Sequence, residues 1–555
     1  MVETVLSFLY IAVICMAIGS GLGKALSGYF RFPAVNITRL IVTGIIALTV
    51  AVGWLSIFVR IGAAVHIAVI VIAVLSAYYS RRELAGIFKS VRLRLPEAAA
   101  IGCVVLIIAY AASRGAFHTD TGIYHAAAIR QYEEYGILRG AANLQPHYAY
   151  NSSYLGFASL FTLSFVLPNA LHTTTGFLML LFLIDALVYL SRFKTHVNHY
   201  ADAVKAAMIM YIMMNYTGCI SPATDYAVNL MTGYFISEWA GLSGEGTDDD
   251  VYGILSVYGL FLTTMKLSAA MCVTVVILPL VNYIRKKAFK KIAGFTGLGL
   301  ACFAFYPIRN VILSGWLFYP FESLDLFDVE WKLPREYSLL DSSQIKVWGR
   351  CLFDVDKLDW PVNRWFPVWW EAQEHYDQML IYAVLIGFAS IILTAVIRRR
   401  IRPYVLVMFM MIAANLAVWF FTAPFVRYGL IFLLTVPMLA AAGLMDLRDS
   451  FGIGRIVIIA LIGICYCSRI DHYIMDDLVF VKHNLAEPYY ITQKPFDDPE
   501  TGHIELGDSG ITVSYPLTDD EINSYYDPPS TCYLWMLERC EPIGYTVRDG
   551  FKGKS

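Results

Sequence analysis

Apolar runs long enough to cross a bilayer recur through this 555-residue chain, and nothing else in it restricts the possible folds as much. A helix of about 20 predominantly apolar residues spans the hydrocarbon core. Runs of this kind lie near 4–22, 40–59, 61–79, 97–113, 152–168, 172–190, 204–217, 226–243, 251–284, 292–308, 379–396, 404–423, 428–446 and 456–470. The run at 251–284 is long enough for two passes, so the expected count is about 13 to 15 helices. With 58% hydrophobic and only 15% charged residues, a water-soluble fold is excluded. The expected class is an all-α polytopic membrane protein.

Cytoplasmic loops retain Lys and Arg, so the basic loops set the orientation. Arg81, Arg82, Lys89, Arg92 and Arg94 form one such loop, Arg285 to Lys291 a second, and Arg398 to Arg402 a third. Weaker groups are Lys24, Arg31 and Arg39, then Arg192 and Lys194, then Arg448 and Arg455. Placing them inside puts 114–150, 313–378 and the tail from about 471 outside. One conflict remains. Two spans between 151 and 190 would return the chain to the outside, whereas Arg192 and Lys194 belong inside, so one of the two runs is expected to be re-entrant, broken or no span at all.

The first apolar run lacks a basic leader and an Ala-x-Ala-like site, so no cleavable signal peptide is expected. Of the ten cysteines, Cys15, Cys103, Cys219, Cys272 and Cys302 sit in or near apolar runs, where a small hydrophobe is the usual role. Cys532 and Cys540 share the tail and could be bridged in an oxidising compartment, with Cys351 as a competing partner. The organisation expected is an N-terminal helical group (1–96), a polytopic core (97–470) with outer loops 114–150 and 313–378, and a small α/β cap (471–555). Within the cap, HIELGDSGITVSYPL reads as a hairpin around a Gly-Asp-Ser-Gly turn.

Chemistry concentrates in the polar segment Phe117 to Ser153, FHTDTGIYHAAAIRQYEEYGILRGAANLQPHYAYNSS, which lies between two apolar runs. Helical spacing over Ala126 to Gly136 predicts a short amphipathic helix lying on the membrane surface, with Asp120 and His125 near its start. Charged residues at the membrane edge are costly and serve as functional candidates. Asp225 in SPATDY, Lys266 in TTMKLSA, Arg309 in YPIRNV and Arg427 in APFVRYG all fall at outer turns of this topology. Each has an ordinary explanation when taken alone. An outer-edge Arg or Lys often anchors a helix, and Asp225 after Ser221-Pro222 has the setting of an N-cap. Their coincidence on one face carries the inference: cations can neutralise a phosphate at the bilayer edge, and a carboxylate can deprotonate an incoming hydroxyl. Asp120, Asp225 and His125 are therefore the candidate catalytic residues, and Lys266, Arg309 and Arg427 the candidate phosphate ligands. His118, Tyr124, Asn143 and Asn151 are candidate substrate contacts. Trp365 in WPVNRWFPVWW joins them as a platform on which a sugar ring could stack, although aromatic residues in such a segment also serve as interface anchors.

A first outer loop carrying an Asp, a second acidic loop about 100 residues on, and later outer-edge basic residues resemble the GT-C superfamily of integral-membrane glycosyltransferases. The strings DTGIYHAAAIRQYEEYGILRGAANLQPHYAYNSS, SPATDY, KLSA, RNVILSGWLFYP, APFVRYG and RDGFK look more closely like a family of uncharacterised multi-pass bacterial membrane proteins, a likeness that brings no activity with it. The superfamily resemblance implies a polyprenyl-phosphate-linked sugar donor, an inverting displacement at the anomeric carbon, a glycan or lipid acceptor, and a site on the outer face of the bacterial inner membrane. It implies Asp120 as the first-loop acid and general base and Asp225 as the second-loop acid. Asp-Thr stands here where many members have paired acids, and additional helices precede the loop. No cofactor is required by this reading. Asp120, Asp225 and a histidine could hold Mg or Mn at the donor phosphate; metal-type Cys spacing is absent and no dedicated metal site is expected. A net charge of −2 says little about partners; no nucleic acid is expected among them.

Two alternatives stand beside this reading. A polysaccharide polymerase or ligase of the related fold would use a pyrophosphate donor, and a transporter or flippase would place its charges at mid-membrane depth. The orientation is tested by cysteine labelling: a thiol introduced within 285–291 should resist a membrane-impermeant maleimide added to intact cells, and labelling there would reverse the topology.

Overall fold

The computed structural model describes residues 1–32, 36–192, 198–242, 248–398, 402–446 and 473–554. The expected span at 456–470 lies outside these, as do Lys194, Arg399, Arg400, Arg448 and Arg455. The helices in chain order are α1 (Val2–Leu26), α2 (Ile37–Leu55), α3 (Ala63–Tyr79), α4 (Arg81–Ser90), α5 (Leu95–Arg114), α6 (Ala126–Glu134), α7 (Ser153–Ser159), α8 (Thr174–Ser191), α9 (His199–Asn215) and α10 (Thr224–Gly241). They continue with α11 (Asp249–Met265), α12 (Ile277–Arg285), α13 (Phe289–Phe303), α14 (Phe305–Ser314), α15 (Arg335–Gly349), α16 (Val362–Ala372), α17 (His375–Arg398), α18 (Pro403–Thr422) and α19 (Val426–Asp446).

Among the described residues nine helices are long and apolar enough to cross a membrane, or ten if α3 and α4, bent by 74° at their junction, count as one span. Long apolar helices of this number mark a multi-helix membrane protein. Of the runs counted toward the expected 13 to 15, 456–470 lies outside the described residues and several of the others do not qualify by length and composition. The conflict between 151 and 190 is resolved by its first run: 152–168 forms only the seven-residue α7 and a turn, while α8 is a full span. Helices α9, α10 and α11 are too short or too polar to qualify, although they lie in the packed core.

Local sequence sets the helix ends. The Asn36 side chain caps α2 by accepting from Arg39 N–H at 2.8 Å, and Asp248 caps α11 by accepting from Asp250 N–H at 3.0 Å. At the head of α5 the Glu97 carboxylate accepts from Arg94 N–H at 2.9 Å. Helices α1 and α2 then pack at backbone distance. A Cβ on Gly19 would lie 1.9 Å from the Leu40 carbonyl oxygen, and one on Gly44 1.9 Å from that of Cys15, the close approach that small residues permit between membrane helices.

Helix α11 separates two charged layers. At its N-terminal end Asp249 pairs with Lys286 at 2.5 Å, Asp250 with Lys291 at 2.6 Å and Asp248 with Arg31 at 2.8 Å. At its C-terminal end Lys266 pairs with Asp225. Seventeen residues of helix put roughly 25 Å between the layers, so the basic loop 285–291 and Asp225 lie at opposite ends of the bundle.

The polar segment is not a surface helix. Ala126, Ala127, Ala128, Ile129, Gln131, Tyr132 and Glu133 are all buried, because α6 packs against α7 on one side and meets the tail on another, where Tyr525 Oη donates to Glu133 at 2.7 Å. The tail forms the expected hairpin, with β1 (Thr501–Glu505) antiparallel to β2 (Thr512–Pro516) and Gly507 and Gly510 in the left-handed region between them. A second pair, β3 (Cys540–Pro542) and β4 (Phe551–Gly553), docks on the polar segment through Phe551 N–H donating to the Arg139 carbonyl at 2.9 Å. Gly140, at φ 64°, permits that approach, since a Cβ there would lie 1.9 Å from the Phe551 carbonyl oxygen. Cys532, Cys540 and Cys351 are all free thiols.

Gly44→Ala should destabilise the protein by about 1–3 kcal/mol through overpacking against Cys15. Gly23→Ala, whose new methyl would meet nothing within 4 Å, should stay at or above wild type. Thermal denaturation in detergent compares the two.

Candidate functional site

Asp120, Asp225, Lys266, His118 and Arg427 come together at the end of the bundle away from the 285–291 loop. Each arrives on a different segment. Asp120 immediately precedes a π-helical turn, Thr121–His125, that leads into α6. Asp225 lies in the first turn of α10 and is 4% exposed. Lys266 is the extended residue at which α11 stops, and Arg427 opens α19.

Arg427 joins the two acids, with its Nη2 3.3 Å from Asp120 Oδ2 and its Nε 3.8 Å from Asp225 Oδ2. Lys266 forms a close ion pair with Asp225 while its ammonium lies 4.3 Å from the centre of the Tyr428 ring. Two carboxylates face two cations, so the cluster is electrically balanced. His118 closes it: its Nε2 lies 2.8 Å from Arg427 Nη1, its Nδ1 3.7 Å from Asp120 Oδ2, and its backbone N–H donates to Ser221 Oγ at 2.6 Å. Burial, the largest influence, moves the His118 pKa below the usual histidine value. A neutral imidazole has one lone pair. Two donors point at the ring, Arg427 Nη1 at Nε2 and the Asp120 backbone N–H at Nδ1 at 3.1 Å, and a neutral imidazole accepts from one of them at a time.

An aromatic wall runs away from Asp120. Tyr124 stacks on His147 with centroids 5.3 Å apart and meets the edge of Tyr150 at 5.5 Å. The hydroxyls of Tyr150 and Tyr319 both donate to Asp341, at 2.9 and 2.7 Å. Burial raises the Asp341 pKa above the usual carboxylate value and lowers that of His147. Asp341, His147, Tyr319 and Tyr428 were not named from the sequence. Only Tyr428, beside Arg427 in APFVRYG, carried a signal there; Asp341, on α15, belongs to no motif in the sequence.

The remaining candidates make no hydrogen bond or ion pair with the cluster. His125 is buried behind the turn, its Nδ1 3.4 Å from Thr121 Oγ1 and its Nε2 without a partner. Arg309 is enclosed on α14, donating to Asn151 Oδ1 at 2.9 Å, Tyr132 Oη at 2.6 Å and Ser56 Oγ. Asn151 in turn donates to the Tyr306 carbonyl at 3.0 Å. Asn143 is an internal brace, its amide reaching the Trp331 carbonyl at 2.9 Å and the Phe551 carbonyl at 3.3 Å. Trp365 is 1% exposed, packed against Phe420 at 5.2 Å and within a core that includes Trp369. No sugar face can reach a ring so enclosed. Among the described residues no three His, Cys, Asp or Glu side chains group closely enough to hold a metal ion; between Asp120 and Asp225 stands a guanidinium.

The model of one protein family, a domain of unknown function designated DUF8201, matches residues 1–434. The chain belongs to this family. The matched stretch contains every member of the ion cluster. No curated protein and no solved structure matches the chain.

Lys266→Met should cost about 3 kcal/mol, the low end for breaking a buried pair, because Arg427 still faces Asp225. The double change Lys266→Met with Asp225→Asn should recover most of that loss. Thermal unfolding of the purified variants provides the comparison.

Proposed function

We propose that the protein is a membrane glycosyltransferase of the GT-C type that takes a sugar from a polyprenyl-phosphate donor at the outer face of the bacterial inner membrane and passes it to a glycan or lipid acceptor hydroxyl. The observation that supports this most directly is Arg427 bridging Asp120 and Asp225 beside Lys266. It joins a base to an anion clamp at one end of a helical bundle, where a lipid phosphate resides.

In this reading Asp120 accepts the proton of the acceptor hydroxyl as the acceptor oxygen bonds to the anomeric carbon. The bond from that carbon to the phosphate oxygen breaks, and the polyprenyl phosphate leaves with its new charge facing Arg427 and Lys266. Electrical balance adds a condition. A carboxylate paired with a guanidinium is a weaker base than a free one, and a donor phosphate arriving at Arg427 competes with Asp120 for the same N–H groups. Donor binding thus releases the base when it is needed. Asp225 keeps Lys266 in place, and neutral His118 holds Arg427 without adding charge. Tyr124, on the wall beside Asp120, is positioned to contact the transferred sugar.

The test uses purified protein in lipid vesicles with a polyprenyl-phosphate sugar, measuring donor binding and transfer separately. Asp120→Asn should leave donor binding intact or improved and lower transfer roughly a hundredfold or more. Arg427→Met should weaken donor binding by about 1.5–3 kcal/mol, the value of a charge-assisted contact. Unchanged transfer by Asp120→Asn would refute the assignment of the base.

A further inference from the structure

Arg309 presents the opposite electrical situation from the ion cluster. Its side chain is 2% exposed, yet its donors meet only the neutral oxygens of Asn151, Ser56 and Tyr132. Its guanidinium also lies 4.6 Å from the centre of the Tyr132 ring. No carboxylate of the described residues pairs with it. Guanidinium does not shed its proton in proteins, so the charge is permanent, and a buried charge without a counter-charge is strongly unfavourable.

A cavity of about 20 Å³ adjoins this residue, lined in part by Arg309, Gln131, Tyr132, Asn151 and Ser152. Gln131 is 6% exposed, and its amide Nε2 is fully buried without a hydrogen-bond partner. The Tyr148 hydroxyl, on the same cavity wall, donates to the Ser530 carbonyl at 2.7 Å, and its oxygen is the neighbouring acceptor toward which the Gln131 amide makes only a weak contact. Two facts of different kinds therefore coincide: an uncompensated cation and an amide donor without a close hydrogen bond line one small cavity. A volume of this size suits a single water or a single monatomic ion, and it is too small for a phosphate group.

We infer that this cavity is a halide site, in which one chloride sits between the Arg309 guanidinium and the Gln131 amide and completes the charge balance of the bundle. A water molecule would accept from the amide and leave the Arg309 charge uncompensated; chloride accepts from the amide and supplies the counter-charge. The site is distinct from the Asp120 cluster and does not depend on the transferase reading.

The experiment measures thermal unfolding of the purified full-length protein in sodium chloride, sodium bromide and sodium gluconate at equal ionic strength. Chloride and bromide should both raise the unfolding temperature above that in gluconate, increasingly with concentration, as mass action requires for a ligand of the native state. Gln131→Glu supplies a nearly isosteric fixed carboxylate. It should fold, match or exceed wild type in gluconate, and lose the halide dependence. A structure determined in bromide should show anomalous density in the cavity beside Arg309. Equal unfolding temperatures in all three salts, or halide stabilisation that persists undiminished in Gln131→Glu, would overturn the proposal and leave the cavity to water.

Discussion

A carboxylate at the start of a buried helix has to find its counter-charges inside the bundle, and the arrangement of the end of the bundle away from the 285–291 loop follows from how Asp225 does so. At 4% exposure, Asp225 is out of reach of screening solvent. Lys266 reaches it only because α11 stops at that residue in extended conformation; a continuous helix through 249–285 would carry the ammonium elsewhere. Arg427 reaches it from the first turn of α19 and extends to Asp120. Four stretches of chain separated by up to about 300 residues are thereby tied to one point. The helix ends, the break in the long apolar run and the polar loop all answer to that single electrostatic requirement.

The polar segment imposes a second requirement of the same type, this time for backbone groups. Once α6 and its flanks are buried, their N–H and C=O groups need partners, and the tail supplies them. Asn523 N–H donates to the Gly122 carbonyl at 2.8 Å, and its side-chain amide donates to Gln145 Oε1 at 2.7 Å. These bonds grip the turn that carries Tyr124 and His125 and adjoins Asp120. The tail is therefore a structural wall of the candidate site as well as a cap over it.

Two cationic centres, one partly exposed and one buried, thus coexist with opposite charge balance. The Arg427 cluster is balanced by the chain's own acids, so an incoming anion must compete with Asp120, which suits a site that binds, reacts and releases. Arg309 is left with an unmatched charge beside a small closed cavity, which suits a permanent ion. The difference between a paired and an unpaired cation follows from whether the fold brings a carboxylate within reach.

Much of the architecture was legible in the order of residues. Apolar runs marked the spans because burying backbone polar groups in lipid demands long helices, and the HIELGDSGITVSYPL alternation marked the hairpin. The sequence also singled out Asp120, Asp225, Lys266 and Arg427, because charged residues at the ends of apolar runs need a reason to be there. It could not rank them against Arg309, which bears the same charge at the same kind of position, nor reveal that Trp365 faces inward or that Asp341 collects two tyrosine hydroxyls. It showed that one of the two runs between 151 and 190 could not be an ordinary span but not which; 152–168 has the composition of a span and the structure of a short turn-bounded helix. Composition records which groups water or lipid will reject. Which counter-charge each buried group meets depends on contacts between segments far apart in sequence, and that only the tertiary structure decided.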